Sequence, residues 1–204
     1  MRFKLLAAPI LTVSLILAAL PGFSQTIAPY QGKVLPFAIG FGPSGFEPDW
    51  GRGRMYGGTA WVDWYPSFIP RSLNKLDIEF EVRDISLDRH IVTGGTPRSN
   101  QANTKEDTAG GGFMYNWHLV RNLNFYAKAI VADGSVDFIG SPTYNHDTRI
   151  VLAPGGGLEY RVYGPISARV DYEYQIWTGK LIGTYLTPQG FTAGITYDFA
   201  HPTP

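Results

Sequence analysis

The stretch Phe191-Thr192-Ala193-Gly194-Ile195-Thr196-Tyr197-Asp198-Phe199 decides how the rest of the chain is read. Its odd positions are apolar or aromatic, and its even positions are Thr, Gly, Thr and Asp. Alternation of period two marks a strand with one oily face and one polar face. A hairpin of a soluble barrel has the same alternation, so the remaining chain must discriminate.

Working outward, Ile166, Ala168, Val170, Tyr172, Tyr174 and Ile176 alternate with Ser167, Arg169, Asp171, Glu173 and Gln175. Leu76, Ile78, Phe80 and Val82 likewise alternate with Asp77, Glu79, Glu81 and Arg83. Five further strands read in the same way. The first carries Phe37, Ile39 and Phe41. The second runs from Met55 to Tyr65, with Trp64 opposite Thr59, Trp61 and Asp63. The fourth runs from Gly111 to Trp117. The fifth sets Leu123, Phe125 and Ala127 against Asn124, Tyr126 and Lys128. The sixth sets Ile150, Leu152, Leu158 and Tyr160 against Val151, Glu159 and Arg161, with Gly155 to Gly157 between. Pro43–Arg54, Leu87–Gly110, Asp133–Asp147 and Trp177–Gln189 are rich in Gly, Pro or polar residues and read as loops.

The composition favours strands and tight turns: 24 Gly, 12 Tyr and 12 Phe in 204 residues, only 17% of them charged. The absence of Cys excludes a disulfide framework, thiolate metal sites and thiol nucleophiles. A formal charge of zero gives no electrostatic case for nucleic acid. Mean hydropathy of −0.08 argues against a helical membrane protein but not against a membrane barrel, half of whose strand residues are polar. At the start, Arg2 and Lys4 precede an apolar run from Leu5 to Leu20, and small residues follow before Gln25. Residues 1–24 therefore read as a signal peptide and 25–204 as one exported domain.

Two features favour the membrane. Connections are long after strands one, three, five and seven and shorter after two, four and six, as in outer-membrane barrels. Strands descending to the side of the short turns end in aromatics, Trp64 and Tyr65, Tyr115 and Trp117, Tyr160, then Tyr197 and Phe199, which is the placement of an interfacial girdle. With Thr192, Gly194, Tyr197 and Phe199 matching a C-terminal sorting strand, the chain resembles the small outer-membrane β-barrels of the OmpA transmembrane-domain and opacity-protein type.

That resemblance implies an all-β, eight-stranded antiparallel up-and-down transmembrane barrel in the bacterial outer membrane. It implies lipid and, during insertion, the barrel-assembly machinery as partners. Ala200 to Pro204 trail the sorting strand, and no peptidoglycan-binding segment follows, so no cell-wall tether is expected. The expected role is non-enzymatic: four surface loops serving envelope integrity or surface contacts, the loop ligand unknown. The alternatives are a narrow porin-like channel and, behind it, a soluble lipocalin-like binder.

Chemical motifs add little. Gly40-Phe41-Gly42-Pro43-Ser44-Gly45 has dinucleotide-binding spacing but no helix start after it. The four His show no metal spacing, and His146-Asp147, with Asp49 and Asp137 as neighbours to consider, reads as solvated loop. No cofactor is expected. What remains is an inward-facing charge set: Asp63, Asp77, Glu79, Glu81, Arg83, Lys128, Glu159, Arg161, Arg169, Asp171 and Glu173. An eight-stranded barrel is about filled by its own side chains, so these charges are expected to pair across the lumen and plug it.

Overall fold

The computed structural model describes residues 35–49, 53–68, 75–87, 103–120, 122–139, 146–180 and 185–200. Residues 1–24, read as a signal peptide, and the tail beyond Ala200 lie outside the described residues. The strands are β1 (Phe37–Glu47), β2 (Met55–Trp64), β3 (Leu76–Leu87), β4 (Asn103–Val120), β5 (Leu123–Ile139), β6 (His146–Tyr163), β7 (Ile166–Tyr174, resuming at Ile176–Trp177) and β8 (Gln189–Asp198). Each pairs antiparallel with its sequence neighbours, and β8 closes on β1 from Ala38↔Asp198 to Glu47↔Gln189. Closure leaves the barrel without sheet edges. The fold is an eight-stranded up-and-down β-barrel.

Burial follows the alternation. Phe41, Phe80, Val82, Phe113, Val131, Leu158, Val170 and Ile195 are exposed on the outer wall, while Glu79, Glu81, Lys128, Arg169 and Asp171 are buried inside. This inversion of the soluble pattern excludes the lipocalin-like alternative, whose apolar residues would line the cavity. On β3, β4 and β5 the outer band gives way to polar residues at Asp84, Asp107 and Asp133, which lie side by side or one step apart in register.

Several strands outrun their sequence signal. β4 begins at Asn103, inside the segment read as a loop, because Thr104, Glu106 and Thr108 face inward while Lys105 and Asp107 face out. Both faces are polar there, so hydropathy carries no alternation. β5 and β6 likewise extend to Ile139 and from His146 through the expected loop Asp133–Asp147. β1 runs on through Pro43 to Glu47, its ladder to β8 interrupted only at Gly42 and Pro43 without a change of register. β7 breaks at Gln175, whose amide donates to Pro188 O at 2.8 Å. At 17–18 residues, β4, β5 and β6 exceed the ~9–11 residues a tilted strand needs to cross a membrane, so they rise above the apolar band.

Candidate functional site: a lumen of paired charges

Period-two geometry points alternate residues of β2, β3, β5 and β7 at one another across the axis. Lys128 of β5 occupies the centre. Its ammonium lies 2.9 Å from Glu79, 2.6 Å from Glu81, 3.0 Å from Asp171 and 3.3 Å from Glu173. Two arginines flank it. Arg169 reaches Glu79 at 2.6 Å, Asp63 at 3.2 Å and Asp171 at 3.3 Å. Arg83 reaches Glu173 at 2.6 Å and also pairs with Glu81. Three cations thus pair with five carboxylates, and most of these contacts are charge-assisted hydrogen bonds, the Lys128 pairs with Asp171 and Glu173 being ion pairs alone.

Neutral side chains complete the network. Arg169 Nε donates to the Tyr126 hydroxyl at 2.7 Å, and Tyr126 in turn donates to Asp171 at 3.2 Å. The Arg169 guanidinium lies over both the Trp61 ring, at 4.7 Å, and the Tyr126 ring, at 4.5 Å. Trp61 Nε1 donates to Thr196, and Arg83 Nε donates to Thr59, whose hydroxyl is 2.5 Å from that of Ser44. Glycine makes the room. A Cβ on Gly157 would sit 2.6 Å from the Tyr126 hydroxyl and 2.2 Å from Val170 O, and one on Gly40 would overlap the Trp61 ring.

Above the ion pairs the lumen turns apolar. Phe46, Met55, Ile85 and Leu87 form one buried cluster, and Ile130, Val136, Val151, Trp177 and Leu186 belong to another. Glu106, fully buried, lies in register between Ile85 and Val136. Neither of its carboxyl oxygens has a partner in hydrogen-bonding geometry among the described residues. At the outer rim, Lys105 lies 3.1 Å from Asp84 and 2.9 Å from Asp107. Partial burial there works to lower its pKa, but those two carboxylates hold it above the ordinary value.

The inward set therefore divides. Asp63, Glu79, Glu81, Arg83, Lys128, Arg169, Asp171 and Glu173 form one network. Asp77, Glu159 and Arg161 lie half-buried nearer the short turns, Asp77 accepting from Asn116 at 2.6 Å and Arg161 lying 3.6 Å from Asp198. Of the girdle residues, Trp64, Tyr115, Trp117 and Tyr160 lie on the outer register, with Trp117 4.6 Å from Tyr115 and 5.3 Å from Phe125 between ring centres. Tyr65 does not join them. It is half-buried, one residue past β2, and shares the register of Asp63 instead of Trp64.

In the sorting strand, Thr192 faces inward and its hydroxyl is 2.8 Å from that of Ser44. Gly194 passes against the Trp61 ring, and Tyr197 faces out. The Phe199 ring packs 4.9 Å from Phe37. His146 pairs with Asp137 at 2.7 Å, but Asp147 turns to Arg149 and Asp49 binds Thr187, so these residues do not assemble into one site. The glycine-rich Gly40–Gly45 lies within β1.

An apolar outer band around a charged interior defines a transmembrane β-barrel, because the wall meets hydrocarbon outside and buries its charges within. No protein-family model and no curated protein matches the sequence. Solved structures do match by fold. Neisserial surface protein A superposes with a TM-score of 0.58 at 15% identity, over 80% of this chain and 97% of that one. The N-terminal β-barrel domain of Pseudomonas aeruginosa OprF gives 0.50 at 14%, over 78% and 97%. The outer-membrane protein AlkL gives 0.50 at 15%, over 85% and 94%. The chain has the fold of the small bacterial outer-membrane β-barrels.

Proposed function

We propose that this protein is a non-enzymatic outer-membrane barrel whose closed wall displays four connections at the cell surface, serving envelope integrity or surface contacts. The supporting observation is the Lys128-centred network. Its three cations, held by two to four ionic contacts each, reach across a lumen narrow enough for side chains to fill. Its assembly depends on recognition of the β8 strand by the barrel-assembly machinery. The His146–Asp137 pair is a structural contact of the β5–β6 hairpin without a chemical role.

The test is complementation. A strain lacking the protein is expected to become sensitive to detergents that the outer membrane excludes. Wild type and His146→Ala should restore resistance equally. Restoration by wild type alone would assign that pair chemistry and overturn the non-enzymatic reading.

A further inference from the structure

The two ends of the barrel differ in a way the transmembrane band does not require. At the surface end, outward positions on β3 to β6 are largely charged or polar, at Asp84, Lys105, Asp107, Asp133, Asp137 and His146, with Tyr56, Ile150 and Tyr185 exposed among them. At the short-turn end large apolar side chains are exposed beside polar ones. Phe68, Leu119, Val120, Val162 and Tyr163 are each more than half exposed and stand at or beside the three short connections, where Lys75, His118 and Asn122 are exposed as well. Turns bathed in water favour Gly, Asn, Asp and Ser, so five large apolar side chains here call for a covering.

The patch is continuous with the apolar outer wall. On β4 the outward residues run Ala109, Gly111, Phe113, Tyr115, Trp117 and then Leu119, with no polar step between. Ala109 to Trp117 supplies about nine residues, enough by itself to cross the hydrocarbon. Val120 lies about three residues beyond Trp117, or ~7 Å along the normal for a strand tilted by about 40°. Each headgroup layer is about 5–8 Å deep. A turn at that depth lies within the headgroups, short of the periplasm.

We propose that Phe68, Leu119, Val120, Val162 and Tyr163, at the short-turn end, are bound into the inner-leaflet headgroup layer of the same membrane, with phospholipid as their partner. The inference rests on the transmembrane reading of the barrel. The turns anchor the barrel vertically, because moving it outward would draw the girdle into hydrocarbon and moving it inward would bare these residues to water.

The chain has no Cys, so single-Cys variants place one reporter each. Nitroxide labels at 120 and 163, with controls at 80 and 133, are read in nanodiscs of phosphatidylethanolamine and phosphatidylglycerol against oxygen and a water-soluble nickel chelate. Oxygen-to-nickel ratios at 120 and 163 should exceed the ratio at 133 several-fold and fall below that at 80. Ratios at 120 and 163 equal to that at 133, with 80 still oxygen-dominated, would overturn the anchoring and leave the turns open to a periplasmic protein. A nickel-dominated signal at 80 would strike the transmembrane reading itself.

Discussion

The two faces of one strand, β3, obey opposite rules. Phe80 and Val82 point outward, where the cost of a substitution depends on depth in the membrane and hardly on neighbours. Glu79, Glu81 and Arg83, one residue away, point inward, where the cost depends almost wholly on partners. The same charged side chain is therefore ruinous on one face and required on the other. What makes the interior tolerable is pairing, since a desolvated charge costs several kcal/mol unless geometry and hydrogen bonds compensate it.

The largest effect expected from this contrast is inside. Arg169→Met strands Asp63 and unbalances Glu79 and Asp171, and should destabilise the barrel by about 3–5 kcal/mol in urea unfolding from vesicles. Adding Asp63→Asn should recover part of that loss, a coupling that a purely steric role for Arg169 would not produce. On the outer face, Phe80→Arg should cost about 2–4 kcal/mol in the same assay, with no neighbouring substitution able to rescue it. A smaller effect is expected where packing alone is disturbed. Gly157→Ala drives a methyl against Val170 O and the Tyr126 hydroxyl, and should cost about 1–3 kcal/mol. If Gly157→Ala proved neutral, the inner wall would be looser than the contacts imply.

The contrast between faces also explains what could be read from sequence. β3, β7 and β8 were legible because their two faces differ in polarity. Residues 103–108 and 133–137 were not, because Thr104 and Glu106 inside and Lys105 and Asp107 outside give hydropathy nothing to alternate. Gly and Pro at 43–45 suggested a loop that closed-barrel pairing overrides.

In the lumen, parity points all eleven charges inward; eight of them meet in the network, while Asp77, Glu159 and Arg161 are only half-buried. Parity could not name their partners, since which carboxylates meet Lys128 depends on how far strands are staggered around the ring. Trp61 and Tyr126, which sandwich Arg169, were placed on the correct face without a role. The apolar cap went unrecognised because Trp177 fell at the start of a segment read as loop, and buried Val136 and Met55 carry no mark separating them from residues facing lipid. Tyr65 was grouped with Trp64 by proximity in sequence, although the alternation itself puts them on opposite sides.

The central claim is that the lumen is closed by its own paired charges, and conductance tests it most directly. Wild-type protein inserted in a planar bilayer should carry no steady current, because Lys128, Arg83 and Arg169 each bridge carboxylates from different strands across the axis. A stable, reproducible single-channel current from the wild-type protein would contradict the account and make the barrel a pore.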